Sequence, residues 1–224
     1  CGQVSGLKVS DFDYDLPPEL IAQEPLACRD ASRLLVLHRE TGAVEHRQFL
    51  DLISYTRPGD IFVFNNSRVI RARLRGRKRT GGSIEVFLLR PAGGDIWEVL
   101  VKPGRKAPPG TEVLFGDGFS GIVLDKTATG GRLCRLESAI PVQEAIERWG
   151  EVPLPPYIKR ELRSPERYQT VYASEPGSVA APTAGLHFTP RVLSALEESG
   201  VGLHYITLHV GIGTFRPVRT EEVE

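Results

Sequence analysis

Apolar residues in this chain come in short bursts separated by turn residues, and the texture changes twice along its 224 residues. Up to residue 70 helix and strand signals alternate. Pro17-Pro18-Glu19-Leu20 opens a short helix toward Gln23, because proline fits a first helical turn. Residues 32–37 read as a buried strand, Glu40-Thr41-Gly42 as a turn and residues 43–47 as the returning arm of a hairpin. Residues 48–55 set Phe49, Leu52, Ile53 and Tyr55 on a short helix. Pro58-Gly59 then turns the chain into a strand over residues 60–65.

From Arg71 the bursts shorten and become regular. Runs at 84–89, 96–101, 112–115, 119–124 and 133–136 are parted by Gly81-Gly82, Gly93-Gly94, Pro109-Gly110, Asp117-Gly118 and Gly130-Gly131. Strands at this spacing with glycine turns predict a small antiparallel barrel. Residues 142–149 read as a closing helix, and Pro153, Pro155 and Pro156 as a linker. Beyond it the pattern predicts a strand over 168–173. Thr189 and Pro190 supply the N-cap and first position of a helix that ends at Gly200. A long strand over 201–210 runs into a tight turn at Gly211-Ile212-Gly213-Thr214. The expected fold is an α/β (α+β) domain split in sequence, residues 1–70 plus 152–224, with an inserted small antiparallel β-barrel over 71–151.

Four stretches could carry chemistry. Residues 177–189 gather small residues, three hydroxyls and His187 before a helix N-terminus, where free N–H groups favour anions. On composition alone this is equally a surface loop capping a helix. His209-Val210-Gly211-Ile212-Gly213-Thr214 joins a strand end to a glycine turn, and strand ends are frequent ligand sites in open α/β sheets. On pattern alone a plain strand–loop corner is the stronger reading. Asn65-Asn66-Ser67-Arg68 place two amides, a hydroxyl and a guanidinium at another strand end, with Asn65, Ser67 and Arg68 the binding candidates. That set grips a polar ligand or forms a plain turn. Arg71, Arg73, Arg75, Arg77 and Arg79 recur every second residue, which puts all five on one face of a strand. Such a stripe is an RNA phosphate ridge or a solvated barrel wall. Among the histidines, His187 and His209 are the acid–base candidates, since imidazole titrates near neutrality.

Composition narrows the classes. A hydrophobic fraction of 41% and a charged fraction of 25% suit a folded globular chain. Formal net charge is zero, which disfavours a dedicated nucleic-acid binder, although a local patch can outweigh the total. No apolar run is long enough to span a bilayer, and no signal peptide is visible. Three cysteines without metal-ligand spacing fit a reducing cytoplasm and no metal site. The chain has no Met, and it stops at the helix-like acidic stretch Glu221-Glu222-Val223-Glu224; both suggest part of a longer protein. A methyltransferase would need a glycine-rich loop between an early strand and a helix, which is not found.

Several long motifs agree in order and spacing with one family. Asp13-Tyr14-Asp15-Leu16-Pro17, Gln23-Glu24-Pro25 and Ser32-Arg33-Leu34-Leu35 form the first. Pro58-Gly59-Asp60, Phe64-Asn65-Asn66-Ser67-Arg68-Val69-Ile70 and Ala72-Arg73-Leu74 form the second. Tyr168-Gln169-Thr170-Val171-Tyr172 with residues 177–189 form the third. His209-Val210-Gly211, Gly213-Thr214-Phe215 and Pro217-Val218 form the fourth. From about Val9 onward the chain resembles the S-adenosylmethionine:tRNA ribosyltransferase-isomerases of queuosine biosynthesis. Asn66-Ser67 stands where that family usually shows Asp-Thr, and Arg71 where it shows proline.

The resemblance implies an α/β domain with an inserted barrel and a polypeptide that continues past Glu224. It implies that the ribosyl part of S-adenosylmethionine passes to the 7-aminomethyl-7-deazaguanine of tRNA and is isomerised, giving epoxyqueuosine with release of adenine and methionine. S-adenosylmethionine is then a substrate and no cofactor is expected. Catalysis falls to His187 and Thr183, and substrate binding to Asn65, Ser67, Arg68, Ala184, Gly185, His209, Gly211, Gly213 and Thr214. The five arginines meet RNA. A cytoplasmic monomer is expected, and a non-catalytic RNA-binding barrel module is the alternative.

Overall fold

Six strands with one apolar face each close on themselves. The computed structural model describes residues 7–215 and 220–223; Cys1 and the motif positions Pro217 and Val218 lie outside them. In chain order the elements are β1 (Leu7–Lys8), β2 (Arg33–Leu37), β3 (Val44–Gln48), β4 (Ile61–Asn65), β5 (Ser67–Val69), β6 (Arg73–Lys78), β7 (Ser83–Gly93), β8 (Ile96–Lys102), β9 (Glu112–Gly116), β10 (Phe119–Lys126) and β11 (Arg132–Ser138). Then follow α1 (Val142–Trp149), β12 (Gly150–Glu151), β13 (Glu175–Ser178), α2 (Pro190–Glu198), β14 (Gly202–Ile206) and β15 (Glu222–Val223).

Strands β6 to β11 form the barrel in the order β6-β7-β8-β11-β10-β9, and β6 pairs back onto β9 through Arg77↔Leu114 and Lys78↔Val113. Alternate residues point inward, as a two-residue period requires. Leu74, Ile84, Val86, Leu88, Val99, Val113, Phe119, Val123 and Leu136 are all buried in one core. Helix α1 packs Ala145 and Ile146 into the same core. Its Trp149 lies so close to the backbone that a β-carbon on Gly116 would stand 1.9 Å from the indole Nε1. The chain enters and leaves the barrel at one spot. Gly150 pairs with Leu74, and a β-carbon there would sit 2.2 Å from the carbonyl oxygen of Arg71.

The segments before and after the barrel interleave into the α/β part. β4 runs parallel to β14 with Ile61↔Gly202 through Asn65↔Ile206, and β5 runs parallel to β13. One face of the β4–β14 pair packs Phe64 against Phe49, Phe188, Val192 and Leu196. The other face leaves Ile61 64%, Val63 60% and Ile206 51% exposed. Thr189 caps α2 by accepting from Val192 N–H at 3.3 Å, and its own hydroxyl donates to buried Asp30 at 2.9 Å. Arg191 joins the same carboxylate at 3.0 Å.

Four expectations are corrected. Residues 168–173 are not a strand: a 3-10 helix over Pro165–Tyr168 gives way to turns, and the strand follows at Glu175–Ser178. The strand expected over 201–210 stops at Ile206. β2 is half exposed because its hairpin with β3 buries one side only, leaving Leu35 and Leu37 in solvent. The acidic end is no helix start, since Glu222 and Val223 pair with Lys8 and Leu7 as a strand.

Candidate functional site

Residues 65–69 lie between two neighbouring stretches that grip them by side-chain hydrogen bonds. The carboxamide of Asn65 accepts from the N–H groups of Ser67 at 3.0 Å and Leu208 at 3.1 Å, and donates to the Leu208 carbonyl at 2.9 Å. Asn66 accepts from the Thr207 hydroxyl at 2.7 Å and donates to Ser174 at 3.2 Å. Arg68 is ion-paired with Glu166 at 2.5 Å. The Ser67 hydroxyl is buried and has no hydrogen-bond partner among the described residues. A buried hydroxyl without a partner is costly, so a ligand or water is the natural complement.

The glycine-rich loop shares a wall with the 209–211 stretch. Gly177 has φ +141° and lies under the His209 imidazole, where a β-carbon would be 2.8 Å from Cε1. The Ser178 hydroxyl donates to Ala180 O at 2.9 Å and accepts from Val210 N–H at 2.8 Å. Val179 N–H donates to Val210 O at 2.9 Å. Gly211, Gly213 and Thr214 then form an exposed turn, with Thr214 N–H reaching Gly211 O at 3.3 Å.

The far half of the loop is a 3-10 helix, Thr183–His187. Thr183 and Ala184 are exposed, and Gly185 is buried under the Tyr172 hydroxyl. His187 is partly buried; its Nδ1 lies 2.8 Å from the Ser32 hydroxyl, and its ring stacks on Phe49 at 5.1 Å. That bond fixes the ring and leaves Nε2 as the nitrogen able to meet a ligand. His187 and His209 are thus anchored at opposite ends of the loop, by different neighbours. Asn65, Ser67, His209 and Gly211 gather about the first half; Thr183, Ala184 and His187 belong to the second.

Sequence reasoning missed an aromatic wall at the β4–β14 ends. Phe64, Tyr172 and Tyr205 stand with centroids 4.9 to 5.7 Å apart. Burial, with the Tyr205 phenol adding to it, pushes the Tyr172 hydroxyl up to about 12, so it remains a donor at neutral pH. The only signal was the Tyr-Gln-Thr-Val-Tyr run, which reads as a strand. Among the described residues, no three His, Cys, Asp or Glu side chains gather as a metal would require, and no helix is long and apolar enough to cross a membrane.

The arginine stripe does face outward, as its period demands. Arg71, Arg73, Arg75 and Arg79 are paired with Glu147, Glu85, Glu151 and Glu112 at 3.5, 3.7, 3.0 and 2.6 Å. Arg77 has no such partner among the described residues. Most of the stripe is therefore a ladder of matched charges.

The motifs sit on one continuous stretch of sequence that a single family model covers. Described as a queuosine biosynthesis protein, that model matches residues 9–224. The chain belongs to this family. Curated relatives named S-adenosylmethionine:tRNA ribosyltransferase-isomerase include those of Symbiobacterium thermophilum, 57% identical over 96% of this chain, and Halothermothrix orenii, 55% identical over 97%. The Thermotoga maritima relative is 54% identical over 97%. The chain spans 64% of the length of each of these relatives. A crystal structure of S-adenosylmethionine tRNA ribosyltransferase from Thermotoga maritima is 38% identical, with a TM-score of 0.37, over 89% of this chain and 58% of that one.

Proposed function

We propose that this chain serves its family's transfer and isomerisation reaction. The ribosyl part of S-adenosylmethionine passes to the 7-aminomethyl-7-deazaguanine of tRNA, giving epoxyqueuosine-tRNA, adenine and methionine. The observation that carries the reading is the wall shared by residues 177–180 and 209–211, in a chain of this family. S-adenosylmethionine is consumed as a substrate, and no cofactor is invoked. The working unit is a cytoplasmic monomer. Residues 1–70 with 152–224 form its catalytic domain, and 71–151 its barrel domain.

A sulfonium is a cation, and Tyr172 and Tyr205, backed by buried Phe64, offer aromatic faces of the kind that attract one. The sulfonium acidifies the adjacent ribose C5′ hydrogens, so a positioned base starts the rearrangement. His187 takes that proton through Nε2, or assists departure of adenine, with Ser32 setting the ring. Thr183, Ala184 and Gly185 receive the methionine carboxylate or a ribose hydroxyl. Ser67 supplies its unused hydroxyl, and Asn65 the one amide hydrogen the fold leaves free. Arg68 orients the nucleoside. His209, Gly211, Gly213 and Thr214 line the facing wall. RNA is met on the barrel face that carries Arg71, Arg73, Arg75, Arg77 and Arg79.

Adenine release from S-adenosylmethionine in the presence of precursor-bearing tRNA is the test. It is run with this chain alone and with the chain extended by the remaining third of the Symbiobacterium thermophilum relative. Release that falls at least 100-fold in His187→Ala supports the reading. Tight tRNA binding without release in either form favours the non-catalytic barrel module. Turnover within a few-fold of the parent removes His187 from the mechanism.

A further inference from the structure

The barrel carries an open concavity of about 910 Å³ across strands β9, β6, β7 and β8. Pairing register defines its floor. Leu114, Arg77 and Ser83 form one row across three strands, and Arg75, Glu85 and Lys102 form the next. Directly paired residues share a face, and here that face is the outer one, because the neighbours Leu74, Ile84, Val86 and Val113 fill the barrel.

The ion pairs sort the cations of this floor. Arg75 is held by Glu151, and Glu85 is engaged by Arg73. Arg77 and Lys102 are exposed and carry no ion pair among the described residues. One carboxylate, Asp117, stands at the rim. Leu114, 46% exposed, is the one large apolar side chain that the described barrel strands leave in solvent. An apolar spot at the β9 edge, with uncommitted Arg77 beside it on β6 and uncommitted Lys102 one row on across β7, matches a nucleic-acid strand, whose phosphates need charge and whose bases and riboses offer apolar faces.

We propose that this concavity is where the barrel holds the tRNA backbone. Arg77 and Lys102 take phosphates, Arg77 with its planar fork, and Leu114 takes the flat face of a base or ribose. The inference rests on the reading of this chain as acting on tRNA and narrows it. The paired arginines shape the wall, and the unpaired Arg77, together with Lys102 from outside the stripe, grips the strand.

The test is binding of a fluorescently labelled, unmodified tRNA transcript to the full 224-residue chain between 50 and 300 mM salt. Every phosphate that the protein ceases to neutralise lowers the slope of log affinity against log salt by about 0.7–0.9. Arg77→Gln should lower it by that amount, and Arg77→Gln with Lys102→Gln by about twice as much. Lys126→Gln, at an exposed position on β10 outside the groove, should leave it unchanged. Both substituted side chains are exposed, and unchanged melting temperatures show the variants folded. Undiminished affinity and slope in the double variant overturn the groove while leaving the tRNA reading standing. No tRNA binding by the parent overturns both. Equal binding of a polyglutamate peptide with the same Arg77 dependence overturns RNA as the occupant.

Discussion

The side-chain amide of Gln169 takes the place of a neighbouring strand for Val69. Its Oε1 accepts the Val69 N–H at 3.0 Å and its Nε2 donates to the Val69 carbonyl at 2.8 Å, both out of solvent. Removing it strands two buried main-chain groups, each worth about 1–3 kcal/mol. Gln169→Leu should therefore destabilise the chain by about 2–4 kcal/mol, read from the urea midpoint at constant m-value. A change under about 0.5 kcal/mol would mean that water replaces the amide.

Asp30 ties the start of α2 to the N-terminal segment. The hydrogen bond from Thr189 holds its carboxyl below the usual carboxylate range, the Arg191 guanidinium adds to this, and burial opposes it. A carboxyl lowered by folding contributes stability above its unfolded value near 3.9, lost as pH falls through the lower folded value. The melting-temperature gap between the parent and Asp30→Asn should be full at pH 6 and shrink steadily toward pH 3. A gap that is constant with pH would assign the effect to packing alone.

Trp149 and Gly116 leave no room between them. Gly116→Ala must push the indole off the barrel end, at a cost of about 1–3 kcal/mol for an overpacked site. Tryptophan emission should shift to the red and the urea midpoint should fall together. An unshifted spectrum would show that the strand yields instead of the helix.

Two thiols differ sharply in their surroundings. Cys28 is exposed, whereas Cys134 is buried in the barrel core and burial pushes its thiol up to about 12. The thiolate is the reactive form. In a Cys1→Ser background, a thiol reagent at pH 8 should label one cysteine per native chain and two after unfolding. Rapid labelling of both in the native state would mean that the barrel opens readily.

The barrel was legible because glycine pairs cut it into strands and because β-strand alternation needs only nearest neighbours. Helix α1 and the Thr189 cap were readable for the same local reason. The two misplaced strands share one cause. Residues 168–173 alternate like a strand, yet Gln169 satisfies Val69 with its side chain, so no ladder forms there. Asn65 does the same for Leu208, ending β14 four residues before the pattern does. A carboxamide acting as a strand is invisible to periodicity.

The candidate site was legible as segments rather than as contacts. The sequence singled out residues 177–189 and 209–214, but not that Ser178 and Gly177 join them while His187 turns to Ser32. Spacing carries no record of which end of a loop touches which neighbour. Nor could the two-residue period of the arginines reveal that glutamates on four other elements neutralise most of them.

Gly150 and Arg71 meet with no space for a side chain between them, so the chain leaves the barrel beside the point where it entered. Touching ends make removal of the barrel cheap in chain length, but not in packing, since Ile70 and Val179 are buried in the same core. The polypeptide on either side would have to bridge little more than the gap between neighbouring strands, yet would expose two side chains that the barrel now covers.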